Sequence, residues 1–324
     1  MSEDLFSSSS RFESDSRQKP DAIAIESTGY LHERSWAERN GFPYWLLAFI
    51  WLLVSFVLFQ LAGLLALVVA MVLHSEDVSG GVDAAFLAEH IDLVFLGNSL
   101  GQILFLGVTT WFVAGLSTSG RRLDFLRMGG DGRTAGMGFF TVVLVVVMQP
   151  VVWALAWLNA QVPLPQNYLD FEASQIEMIR DILTGDHIVL LTLFHVALVP
   201  SVCEEVLFRG YIQRSLEKSW GIWVAIVLGG VLFGLYHVRL TQLIPLAVIG
   251  IVLGWVAWRS GSIWPAVAGH FMNNAGSVIV ASLYPEYMDQ HMDLTVAPPV
   301  WLLLVSLAGT VMLLYRMQTF TRKE

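Results

Sequence analysis

Charge is scarce in this chain. Only 14% of its 324 residues are Asp, Glu, Lys or Arg, against 55% hydrophobic residues and a mean hydropathy of +0.62. A water-soluble domain carries about 25% charged residues, so this composition points to an integral membrane protein. Cysteine is almost absent: the single Cys203 excludes an intrachain disulfide and leaves the redox compartment open. No basic cluster suits a nucleic-acid partner. The formal net charge of −9 says little about partners, because most acids fall in loops and in the N-terminal stretch. That stretch, residues 1–40, lacks an early apolar core and a small-residue cleavage site, so it is not a signal peptide. It is rich in serine and in charges of both signs. A disordered cytoplasmic tail is expected there, with a transmembrane domain over residues 41–324.

Long apolar runs are what the chain has in abundance. A helix crosses the hydrocarbon core in about 20 apolar residues. The expected spans are Tyr44–Leu73, Ile91–Leu116, Gly136–Leu158, His187–Phe208, Ile222–His237, Leu243–Trp258, Ile263–Tyr284 and Val300–Tyr315. The expected fold is therefore all-α, a polytopic bundle of about eight transmembrane helices. With the N-terminus inside, sixteen of the 18 Lys and Arg fall in cytoplasmic segments, Arg180 and Arg239 being the exceptions. The opposite loops are acidic. By the positive-inside rule both termini are cytoplasmic. Gly230 with Gly234, and Gly250 with Gly254, have the spacing that lets membrane helices approach closely; ordinary packing accounts for both. No internal repeat of the transporter kind is evident, and a transporter is the weakest reading.

Against this apolar background, Glu204-Glu205-Val206-Leu207-Phe208-Arg209 stands out. An acid in a membrane span is a functional-site hypothesis by default. Two later spans each carry a histidine with an i,i+4 partner: Phe233 with His237, and His270 with Asn274. Seventeen residues separate Glu204 from Gly221, and 16 separate Gly221 from His237; His270 lies nine beyond the turn at Gly261. Antiparallel helices joined at those turns bring Glu204, His237 and His270 to one layer. Glu205 precedes Arg209 by four residues, the favourable order for a helical ion pair, and its role is read as mainly structural. Glu204 points about 100° away around the helix and is left free for chemistry. Phe233 is read as a packing residue, and His195, with no patterned partner, as structural.

A carboxylate beside an imidazole takes a proton from water and makes it nucleophilic. A second imidazole with an amide supplies donors to a developing oxyanion. This inventory fits amide hydrolysis by activated water. The chain has no serine elbow, and Cys203 has no local histidine motif. Metal activation stays open at this point, with Glu204, His237 and His270 as candidate ligands, although His-Glu-x-x-His is missing. The cofactor is either none or a single divalent metal such as zinc.

Glu-Glu-x-x-x-Arg, Phe-x-x-x-His and His-x-x-x-Asn, in this order on hydrophobic helices, resemble the CPBP intramembrane protease family. That family groups CAAX-prenyl endopeptidases with bacteriocin-processing and immunity (Abi-type) proteins. The motifs run from Glu204 to Asn274, and the corresponding core would cover about residues 145–284. The resemblance implies an eight-helix bundle with a cavity open to the cytoplasm and laterally to lipid. It implies Glu204 and His237 as the water-activating pair, His270 and Asn274 as the oxyanion site, and Glu205, Arg209 and Phe233 as supporting residues. Members of the family have been described both as metalloproteases and as glutamate proteases. The expected partners are the lipid bilayer and a membrane-associated or lipidated peptide or protein, cleaved near the cytoplasmic face, with CAAX-type processing as one form. The alternative is a non-catalytic immunity or scaffold protein of the same fold.

Overall fold

The computed structural model describes residues 34–74, 86, 90–184, 189–284 and 296–321. Among these residues the regular structure is helical throughout, with no strand. The helices are α1 (Trp36–Arg39), α2 (Tyr44–Leu73), α3 (Ile91–Ser117), α4 (Arg122–Phe125), α5 (Gly132–Val147), α6 (Gln149–Ala160), α7 (Gln166–Thr184), α8 (Val189–Trp220), α9 (Ile222–Tyr236), α10 (Leu243–Ser260), α11 (Trp264–Leu283) and α12 (Val300–Phe320).

The local signals explain the boundaries. Ser35 and Glu38 close a capping box on α1, satisfying donors that the first turn leaves free. Asp131 and Thr134 do the same for α5. Gly221 (φ +82°) and Gly261 (φ +68°) end α8 and α10 in conformations that a Cβ disfavours. Most of the expected tail, residues 1–33, lies outside the described residues. Its end is the docked helix α1, where Ala37 is buried and Ser35 Oγ is 3.0 Å from Tyr44 Oη.

Apart from His187 and Ile188, which lie outside the described residues, the expected apolar segments coincide with helices, but fewer than eight are convincing spans on their own. Among the described residues, five helices are long and apolar enough to cross a membrane: α2, α3, α8, α10 with its preceding turn, and α12. A sixth arises if α5 and α6 count as one span broken by a 50° bend. Pro150 sits in the first turn of α6; lacking an N–H, it cannot continue the ladder of α5. Helix α9 has only 15 residues, about 22 Å at 1.5 Å per residue. Helix α11 has the length, with 20 residues, but His270, Asn273, Asn274 and Ser277 dilute its apolar character. The polar residues that make α11 interesting are the ones that weaken it as a span.

One end of the bundle gathers the basic segments. Trp45 N–H donates to Ser219 Oγ, Lys218 Nζ donates to the Ser117 carbonyl, and Arg214 donates to the Phe125 carbonyl. Arg127 pairs with Glu217 at 3.1 Å, and Ser262 Oγ donates to the Gly129 carbonyl. Burial there, with Arg214 close by, pushes the Arg127 guanidinium down to about 10, against the pull of Glu217. At the opposite end α7 packs beside the Val238–Gln242 loop and α11. Between the ends, α9 and α10 meet backbone to backbone: a Cβ on Gly230 would lie 2.6 Å from Ile251 N and 2.9 Å from Ala247 O. Gly230 and Gly250, one from each glycine pair seen in the sequence, therefore face each other, while Gly234 lies against Leu243 and Ala247, and Gly254 against Gln213.

Candidate functional site

Helix α8 carries both acids. It is not a uniform α-helix: Leu193–Leu198 and Val206–Ile212 have π-type turns, which insert a residue and re-aim the side chains around them. Glu205 ends the α-helical stretch and Arg209 lies inside the second π segment. Arg209 Nη1 is 2.5 Å from Glu205 Oε1, with side chains 2% and 0% exposed. Arg209 Nη2 donates to the Gly250 carbonyl at 3.0 Å, and its Cζ stands 4.6 Å from the Phe233 ring centre. One buried guanidinium thus ties α8 to α10 and α9.

Glu205 has a second partner. Its Oε1 is 2.9 Å from His270 Nδ1, across to α11. Helix α11 comes this close to α5 and α10 because Gly269 has no Cβ; one would lie 2.6 Å from Thr141 Cγ2 and 3.1 Å from Leu253 Cδ2. On α9, His237 Nδ1 is 2.8 Å from the Phe233 carbonyl. That oxygen only accepts, so Nδ1 carries the proton and Nε2 is the free nitrogen. Phe233 packs edge-on against both imidazoles, 4.8 Å from His237 and 5.6 Å from His270.

The two free nitrogens converge on the other acid. Glu204 Oε2 lies 3.9 Å from His237 Nε2 and 3.9 Å from His270 Nε2. That oxygen is buried and has no hydrogen-bond partner within the described residues. The side chains of Glu204, His237 and His270 are 12%, 28% and 5% exposed, so His237 lies on the accessible side. Asn274 is one turn beyond His270; its Nδ2 donates to the Val196 carbonyl at 3.2 Å, and its Oδ1 accepts from Asn273 at 3.3 Å. Val196 lies in the first π segment of α8, beside His195. That histidine does have a partner, Ser99 Oγ at 2.6 Å from Nδ1, on a helix far away in the chain.

Among the described residues, no group of three His, Cys, Asp or Glu is arranged to hold a metal ion. Neighbouring ligands of a tetrahedral zinc at ~2.0 Å lie on the order of 3.3 Å apart, closer than the 3.9 Å separations at Glu204. As placed, these residues do not fit the zinc site left open by the sequence.

Immediately after His237 the chain turns through Val238 at φ +54°. This left-handed conformation costs a β-branched residue on the order of 1–3 kcal/mol. The turn is held by side chains that the sequence did not single out: Asn159, Tyr168 and Glu172. They lie on α6 and α7, at and beyond the apolar run, and no motif marks them. The second partner of Glu205 was equally hidden, since it is 65 residues away.

Comparison with known proteins finds similarity in one segment of the chain. Residues 186–276 match the family described as type II CAAX prenyl endopeptidase Rce1-like. The chain is also 27% identical over 96 residues to a Bacillus subtilis (strain 168) protein described as "Putative membrane peptidase YdiL". That alignment covers 29% of this chain and 39% of the relative's length. No solved structure gives a significant match. The matched segment contains Glu204, Glu205, Arg209, Phe233, His237, His270 and Asn274.

Proposed function

The chain carries a domain of the CPBP intramembrane protease family, a multi-pass membrane protein family, and from that premise we propose that it is an intramembrane endopeptidase. The observation that carries the reading is Glu204 Oε2 at 3.9 Å from both imidazole Nε2 atoms. This spacing is too long for direct hydrogen bonds and suits one water molecule bridging the three groups. Glu204, with His237, takes a proton from that water, and the water oxygen attacks the carbonyl carbon of a peptide bond. His270 donates from Nε2 to the resulting oxyanion, and Asn274 donates with the amide hydrogen that Val196 does not use. Collapse breaks the C–N bond as the proton passes from the Glu204–His237 pair to the leaving amine. Glu205 anchors His270 through Nδ1. With Glu205 accepting at Nδ1 and the oxyanion at Nε2, His270 serves as a donor at both ring nitrogens.

The substrate of this reading is a membrane-embedded or lipidated peptide, reached from the bilayer and cleaved on the cytoplasmic side, CAAX-type processing being one form. Eight spans with both termini cytoplasmic complete the proposal, with α9 and α11 crossing inside the bundle. The test is purified protein in detergent with a lipidated or membrane-embedded peptide. Cleavage is expected, and Glu204→Ala abolishes it. Full turnover in Glu204→Ala with none in a folded Glu205→Ala would reverse the two acids. If cellular protection against a toxin survives both Glu204→Gln and His237→Ala, the protein is instead a non-catalytic immunity factor.

A further inference from the structure

The loop that follows His237 is held by α7 through more bonds than a connection of its length needs. Val238 N–H reaches the Leu235 carbonyl at 3.0 Å, so a left-handed residue ends α9 at its C-terminus. Glycine usually fills this position because it carries no Cβ; here valine fills it. One phenol offsets the misfit. Tyr168 Oη donates to the Val238 carbonyl at 3.0 Å and accepts from Leu240 N–H at 2.9 Å, so a single atom closes the turn. One helical turn later on α7, Glu172, 1% exposed, accepts from the Thr241 hydroxyl and, at 3.4 Å, from Thr241 N–H. Arg239 Nε lies 3.8 Å from the same carboxylate. Asn159 completes the hold, donating to the Leu240 carbonyl at 2.9 Å and accepting from Ile244 N–H at 2.7 Å.

His237 is the residue this turn displaces if it relaxes. It caps α9, its Nδ1 bonds the Phe233 carbonyl of its own helix, and it is the most exposed member of the Glu204 cluster. A right-handed Val238 would extend α9 and rotate the imidazole with it. We infer that Tyr168 and Glu172 form a latch on α7 that positions His237 over Glu204. Both are positioning residues, acting through the Val238–Thr241 turn. The inference rests on the reading of His237 as part of the water-activating pair.

Three full-length variants test it: Tyr168→Phe, Val238→Gly and the double variant. Phenylalanine keeps the ring and removes the bridging oxygen; glycine removes the conformational penalty that the oxygen offsets. Tyr168→Phe is expected to lower kcat on the order of ten- to a hundredfold, with KM within about twofold, because a small displacement of a catalytic group has that effect. Val238→Gly alone retains activity, and in the double variant it restores most of the lost kcat. Hydrogen exchange at the Leu240 and Thr241 amides reads the latch independently of chemistry, and Tyr168→Phe accelerates it at least about tenfold as local opening becomes easier. Unchanged exchange overturns the latch, whatever the activity. Faster exchange with unchanged kcat, or a loss that Val238→Gly does not rescue, overturns the positioning role. A wild-type protein with no Glu204-dependent cleavage sinks the peptidase reading, while the exchange data still decide the latch.

Discussion

His270 Nδ1 and Glu205 Oε1 stand 2.9 Å apart, so the acid beside the proposed base holds one of the two imidazoles that face that base. Glu205 thereby joins two systems, the buried pair with Arg209 and the cluster around Glu204. Adjacent residues of one helix do not face the same way, and here this geometry gives two identical side chains different partners.

The ion pair and the histidine anchor are separable by mutation. Glu205→Gln leaves Arg209 charged and buried without its partner, which costs on the order of 3–5 kcal/mol. We expect a poorly folded protein, read as lost thermal stability in detergent. Glu205→Gln combined with Arg209→Met removes both charges and restores most of the stability. It does not restore the carboxylate anchor of His270, so kcat stays low in a folded protein. Full activity in the stable double variant would show that Glu205 acts only through Arg209.

A second prediction concerns the α9–α10 contact. A Cβ on Gly230 meets backbone atoms of α10 at 2.6 and 2.9 Å, whereas one on the adjacent Gly229 meets nothing within 4 Å. Backbone yields less readily than a side-chain tip, so Gly230→Ala forces the helices apart at a cost of about 1–3 kcal/mol. Gly229→Ala is neutral or slightly stabilising, since alanine is the better helix former. Thermal unfolding of the two variants side by side checks this. Equal stabilities would mean that the contact is looser than the geometry states.

How far the sequence carried the argument depended on whether a contact lay along one helix or between helices. The Glu205–Arg209 pair was legible because both residues sit four apart on α8. The shared depth of Glu204, His237 and His270 followed from helix lengths and turn positions, and the 3.9 Å approaches agree with it. The bond from His270 to Glu205 was not legible, because depth says nothing about rotation, and π turns shift the phase of α8. Length and hydropathy support five or six of the eight expected spans among the described residues, for a related reason. Hydropathy rewards uniformly apolar helices, and α11 spends its polarity on His270, Asn273 and Asn274. The strained turn at Val238 had no signal, since a β-branched residue is not expected at positive φ.

Orientation is open to a direct measurement. The basic segments gather at one end of the bundle, joined by the Arg127–Glu217 and Arg214–Glu217 pairs, while α7 lies at the other. Positive loops stay cytoplasmic, so a cysteine at Arg121 should react with an impermeant thiol reagent only after the membrane is opened. A cysteine at Ser174 on α7 should react from outside, both in a Cys203→Ala background. Labelling in the reverse sense would invert the topology and place the open side of the site on the other face.

The last prediction separates the two ways of activating water. Glu204, His237 and His270 meet through one carboxylate oxygen, with both Nε2 atoms 3.9 Å from it, a spacing that suits a bridging water better than a closed coordination shell. Turnover should therefore persist after chelation and exhaustive dialysis. Asn274→Ala should lower kcat more than it weakens substrate binding, because a donor to the oxyanion acts in the transition state. Its amide also bonds the Val196 carbonyl, so Asn274→Asp is the companion variant: it keeps the size but withdraws the donor, and kcat falls again. A metal site behaves differently, since deleting a ligand removes metal and activity together. Stoichiometric zinc in the purified protein, lost in parallel with activity in His237→Ala and His270→Ala, would overturn the metal-free mechanism and leave Asn274 as a group that orients a ligand.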